Sequence, residues 1–252
     1  RAPTPVELEC ASEEAPCSLP NAFLADPPLE QVVARSFEAG LRGDAANGIR
    51  WHFGAFQTTN DDDILFQTTG GATANVGFFD NVGDTRRAGL ELSLAQQRGA
   101  FTWSFEYSLV DATFEDAFFV NSPNHPLLED DDEGELEVAR GSKIPGIPEH
   151  DANIGLDYAF TERLGLGADL TIRSRVHLPG DEAGTLLGKT DGFSILNLRG
   201  LFRVNENVAL FARVENALDS DYETFGLLGE PDEVFPDFAD ARFLGAGPRF
   251  GA

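Results

Sequence analysis

The chain has 252 residues and a formal net charge of -25, with 43 Asp and Glu against 18 Lys and Arg. That excess argues against binding nucleic-acid phosphates, and no apolar run approaches the ~20 residues that a membrane-spanning helix needs, which leaves β spans open. Phe is frequent at 21 while Met is absent, and 26 Gly with 14 Pro point to many turns.

Taken in chain order, the first feature is Cys10 and Cys17 in ECASEEAPCSLP, the only cysteines. They have too few potential ligands nearby for a zinc site. With Pro and Ser around them, a small disulfide-closed loop is the better reading, and it favours an oxidising compartment. Two free thiols are the alternative.

From residue 36 onward the dominant signal has period two. The apolar sets are Phe37, Ala39, Leu41; Ile49, Trp51, Phe53, Ala55; Ala88, Leu90, Leu92, Leu94; and Phe101, Trp103, Phe105, Tyr107, Leu109. They continue as Ala152, Ile154, Leu156, Tyr158, Phe160; Leu164, Leu166, Ala168, Leu170, Ile172; Leu196, Leu198, Phe202; and Val208, Leu210, Ala212, Val214. Side chains at i and i+2 share a strand face, so this pattern predicts eight strands, each with one apolar and one polar face.

The connections separate a soluble sandwich from a membrane barrel. Short links at 43–48, 96–100, 160–163 and 203–207 alternate with long segments at 1–34, 58–82, 112–150, 175–192 and 218–245. Compact soluble sheets prefer short loops at both ends, whereas outer-membrane barrels carry short turns on one rim and long loops on the other. The predicted fold is all-β: a transmembrane antiparallel β-barrel with long loops on one rim.

Most of the acidic residues fall in the long segments, with DDD at 61–63 and EDDDEGELE at 129–137 as the extremes. Solvated, mobile loops kept soluble by charge are the plain reading. A calcium site is the sharper one, but DDDEGELE lacks the spacing of an EF-hand loop. No enzyme motif is present. GLGADL at 165–170 sits in an alternating strand instead of opening a helix, and His125 and His177 read as solvated loop residues with no catalytic partner nearby.

The residues also resemble a known family. SFEAGLRG, NVGDTRRAGLELSL, KIPGIPEHDANIGLDYAF, VENALDSDYETFG and FLGAGPRFGA follow the order and wording of the C-terminal β-barrel part of TonB-dependent outer-membrane receptors. The resemblance runs over nearly the whole chain, so 1–252 is read as one portion of that barrel. It implies a Gram-negative outer-membrane location and uptake of a scarce, large solute, most often a ferric siderophore, energised through TonB. Cobalamin or carbohydrate uptake by the same family is the alternative, as is a passive porin-like channel, and a surface adhesion module is a further rival. The family's plug domain and TonB-contacting box are not recognised here. Family barrels have about 22 strands, so the resemblance implies a partial barrel of about eight to nine strands of a larger one, with the long loops extracellular. No cofactor, catalytic residue or metal ligand is implied.

Weak ligand-contact candidates are Arg140 and the loop aromatics Phe66, Phe78, Phe79, Phe118, Phe119, Tyr222 and Phe225, with packing or an interfacial aromatic belt as the commoner role of the aromatics. Arg140 and Lys143 are rare cations beside the densest acidic run, where local ion pairing is their plainer use. Arg86 and Arg87 open a strand at the long-loop rim. Strand parity points Arg86 outward at headgroup height, towards outer-leaflet lipid phosphate. It points Arg87 into the lumen, towards a carboxylate such as Glu38 or Glu106. Solvation of both at the strand mouth is the alternative.

Overall fold

A computed structural model describes residues 2, 17–18, 29–70, 76–122, 125, 135–185, 189–228 and 242–247. Among them there is no helix. The strands are β1 (Cys17–Ser18), β2 (Val33–Asp44), β3 (Arg50–Asp61), β4 (Ile64–Gly70), β5 (Val76–Asn81), β6 (Thr85–Arg98), β7 (Phe101–Phe114) and β8 (Phe118–Asn121). They continue with β9 (Glu135–Val138), β10 (His150–Ala159), β11 (Leu164–Arg173), β12 (Phe193–Arg203), β13 (Ala209–Val214), β14 (Glu223–Leu228) and β15 (Arg242–Ala246).

Eight of these form one antiparallel sheet in the order β13-β12-β11-β10-β7-β6-β3-β2, with β2 and β13 at its edges. Its members coincide with the eight period-two stretches. The register keeps the two faces distinct across the sheet. One row reads Leu41, Phe53, Leu92, Tyr107, Ala152 and Ile172; the adjacent row reads Arg42, His52, Ser93, Glu106, Asn153 and Thr171. A slip of one residue in any pairing would exchange the rows, so the alternation itself specifies the register.

Local chemistry sets the short turns. Gly48 and Gly99 adopt φ of 84° and 61°, the left-handed region where a side chain is costly. In the turn after β10, Thr161 Oγ1 accepts the amides of Arg163 and Leu164 at 3.1 and 2.9 Å. After β12, Asn205 Oδ1 accepts those of Asn207 and Val208, both at 2.9 Å. These side chains satisfy amides that no ladder partner reaches.

At the opposite rim the long segments contain structure of their own, which the sequence pattern did not announce. The β4–β5 hairpin rises between β3 and β6, β8 pairs with β9 between β7 and β10, and β14 pairs with β15. Among the described residues the buried apolar side chains, Val32, Val82, Ala112, Phe114, Val120, Val138, Leu178 and Leu228, all lie in this cap or at the strand ends that enter it. Val82, Phe114, Val120 and Val138 form a cluster against Leu65, Phe118, Leu136, Ile144 and Ala183. The wall has no comparable core, and Phe37 on its apolar face is 75% exposed.

Candidate functional site

The polar face of the wall is the first candidate surface. Arg199 on β12 is ion-paired with both Asp157 on β10, at 2.7 Å, and Asp169 on β11. Gly167 permits this bridge, since a Cβ there would lie 2.6 Å from Arg199 Nε. Arg173 pairs with Asp151 at 2.7 Å. Towards β2 the balance changes: Glu38, His52 and Glu91 surround a hollow of about 430 Å³ beside Gly40 and Gly54. Glu106, opposite Ser93, carries the acidity on to β7. Neither Glu38, Glu91 nor Glu106 has a cationic partner among the described residues.

At the long-loop rim the two adjacent arginines serve opposite faces. Arg86 donates from Nε to Glu115 at 2.8 Å and from Nη2 to Asp111 at 3.0 Å, on the side shared by Leu90 and Leu109. Lys143 reaches Asp111 at 2.5 Å and Arg140 reaches Glu115 at 3.4 Å. The Arg86 guanidinium and the Thr113 hydroxyl together hold the Glu115 carboxyl below its ordinary range. Arg87 turns the other way and meets Asp63 at 3.5 Å and the Thr85 hydroxyl at 3.2 Å. The partners therefore differ from expectation. Arg86 is directed at two carboxylates of the β7 end instead of a lipid phosphate, and Arg87 at Asp63 instead of Glu38 or Glu106. Glu106 lies opposite Ser93, six positions along the strand and out of reach. Arg140 and Lys143 likewise pair with the β7 end and not with the described part of the 129–137 run.

The candidate aromatics do not converge. Phe66 and Phe79 stack edge-on at 5.3 Å within the β4–β5 hairpin, next to half-buried Phe78. Phe118 packs on Phe114 at 5.0 Å, while Phe119 points into solvent. Tyr222 lies 4.9 Å from Phe193, whose other neighbour is the Arg173 guanidinium at 5.8 Å. Phe225 is exposed on β14. Cys10 lies outside the described residues, and the backbone of Cys17 pairs with Gly77.

The sharpest correction concerns the histidines. His125 is fully buried: its Nε2 lies 3.2 Å from Asp181 Oδ1, itself fully buried, and 3.1 Å from Thr185 Oγ1. Ser122 donates to the Gly180 carbonyl at 2.6 Å beside them. Glu182 is 5% exposed, and burial raises its carboxyl above the ordinary glutamate range. His177 is half-buried, and burial lowers its imidazole below the usual value. A contact across 56 residues leaves no trace in local spacing, so no sequence signal marked these residues.

With the two-faced sheet, its unequal rims and the polar wall in view, comparison with known proteins settles the family. The model of the TonB dependent receptor-like β-barrel matches residues 1–217. The chain belongs to that family. Similar solved structures include the siderophore receptor PiuA from Acinetobacter baumannii, at 17% identity and a TM-score of 0.61 over 86% of this chain and 27% of that one. The ferric yersiniabactin uptake receptor FyuA from Yersinia pestis matches at 16% and 0.63, over 92% and 30%. The copper transporter OprC matches at 21% and 0.59, over 86% and 31%. At such identities the likeness carries the fold. This chain spans roughly a third or less of the length of these solved structures. The apolar face of the sheet is the lipid side of a TonB-dependent receptor barrel wall, and the polar face lines its interior.

Proposed function

We propose that this chain forms part of an outer-membrane receptor that takes up a scarce, large solute, with a ferric siderophore as the leading substrate class and TonB as the source of energy. The observation that carries this reading is the pairing of a polar, charge-lined wall with a packed cap on the long-loop rim. A wall alone serves a pore, whereas a cap with its own core can hold a binding surface over the mouth and change shape around a ligand. The long-loop rim is accordingly the external one. The likeness to the siderophore receptor PiuA and the ferric yersiniabactin uptake receptor FyuA supports the substrate class, and the copper transporter OprC marks a metal ion as the competing cargo within the same fold.

The test is growth and uptake in a strain lacking the gene. Iron-limited growth on a panel of ferric siderophores should fail and return with the full-length gene, and uptake should collapse when TonB is removed. Uptake that persists without TonB would identify a passive channel. Normal growth on every siderophore, with a defect confined to cobalamin, a carbohydrate or copper, would replace the substrate and keep the family.

A further inference from the structure

Three segments far apart in sequence meet at the buried histidine. Ser122 and His125 follow β8, residues 177–185 lie between β11 and β12, and Leu228 ends β14. Asp181 Oδ1 lies 3.2 Å from His125 Nε2 and accepts the Thr185 amide at 3.0 Å. Ser122 binds the Gly180 carbonyl, and the Leu228 amide donates to the Pro179 carbonyl at 3.2 Å. Leu178 and Leu228 are both buried beside these contacts. The joint is therefore polar, buried at Ser122, His125 and Asp181, and shared between three loop segments.

Glu182 makes this joint sensitive to protons. Its Oε1 accepts the Gly180 amide at 3.0 Å, while its Oε2 is buried with no hydrogen-bond partner. An ionised carboxylate with one such oxygen is poorly tolerated away from water. Among the described residues, the charged or titratable groups that act on it are Asp181, whose charge repels a second negative charge, and His125, which opposes that effect. The neutral acid is the form that fits. Ionisation is relieved by carrying 180–182 into water, and that movement breaks the Ser122–Gly180 and His125–Asp181 contacts.

We propose that Glu182, with His125, Asp181 and Thr185, forms a proton-dependent latch that joins the segment after β8 to the β11–β12 loop and releases them as pH rises. Burial raises the Glu182 carboxyl, so the closed latch binds its proton more tightly than the open one. Its contribution is complete below the ordinary glutamate value of 4.5 and is lost as pH rises through the raised value. His177, facing Lys189, Asp181 and Lys143, acts in the opposite sense. Burial lowers its imidazole, so its contribution is complete above its ordinary value of 6.5 and is lost as pH falls through the lowered one. Above 6.5 the His177 contribution is level, so a slope there is that of Glu182 alone.

The experiment is hydrogen exchange on the full-length protein in lipid, corrected for the intrinsic pH dependence of exchange and compared between segments 177–185 and 150–159. From pH 6.5 upward, protection of 177–185 should fall by up to about tenfold per pH unit until the Glu182 carboxyl has ionised, while protection of β10 stays level. Glu182→Gln should flatten that profile. Thr185→Val should lower protection at every pH and leave the slope. A flat wild-type profile overturns the proposal, and so does an unchanged slope in Glu182→Gln. Should Glu182→Gln fail to assemble, the infrared band of a protonated carboxyl decides. Its disappearance over the same pH range as loop protection supports the latch, and its absence at neutral pH sinks it. Transport is not read, so failure here is distinguishable from failure of the uptake assignment.

Discussion

The wall and the cap are two proteins in one chain by the standard of what holds each together. The wall keeps Phe37, Leu41 and Leu210 more than half exposed and contributes buried apolar side chains only where its strands enter the cap. Its apolar face is complete only against lipid, because a β sheet with an uncovered apolar face has no stable existence in water. The cap is built as soluble domains are, with Phe114 and Val138 at 2% and 0% exposure and with buried Ser122 and His125 hydrogen-bonded to Gly180 and Asp181. The same alternating strands thus leave one solvent and enter another within a few residues of Ala112.

That contrast can be broken most sharply at Phe114. Phe114→Ala removes the largest fully buried side chain among the described residues and should cost about 3–5 kcal/mol. Proteolysis of the loops should then accelerate while heat-modifiable mobility of the full-length barrel persists. Simultaneous loss of both would make wall and cap one cooperative unit. Next in size, Leu92→Arg should cost about 2–4 kcal/mol in equilibrium folding into lipid vesicles, whereas Ser93→Arg should cost much less. Equal costs would overturn the assignment of faces. Gly89→Ala comes third, at about 1–3 kcal/mol, because its Cβ would stand 2.6 Å from the Phe56 ring and run into the Leu109 carbonyl oxygen. Phe56→Ala in the same molecule should recover only part, since the carbonyl remains. Smallest is Arg140→Ala, expected at about 0–1 kcal/mol in the same vesicle assay, because the side chain is 74% exposed.

The wall was legible in the sequence because its physics is local: period two, glycine-bearing short turns and unequal loop lengths suffice to place all eight strands. The cap was not. β4, ILFQTTG, and β5, VGFFDN, show no clean alternation, and β8 and β9 are four residues each. Their pairing is decided by tertiary packing around Val82 and Phe114. Parity alone put Arg86 and Arg87 on opposite faces, but it could not supply partners. Asp111 and Glu115 lie across the ladder on β7 and just beyond it, and Asp63 lies between β3 and β4, at heights that only the register defines. His125 was misjudged for the same reason. Exposure was inferred from a polar neighbourhood in sequence, and burial came from Asp181 on a different loop.

The sheet order carries a consequence for assembly. Every wall strand pairs with the wall strand before and after it in the chain, with no crossover. Growth can therefore proceed one hairpin at a time, each new strand templated by the last, and the entropy of closing each loop is met in small instalments. The contact between His125 and Asp181 is different in kind. It spans 56 residues and joins segments delivered by separate hairpins, so it can form only after β10 and β11 are in place. Maturation of such a receptor should accordingly end at the cap, with a wall that is already threaded waiting for its loops to find one another.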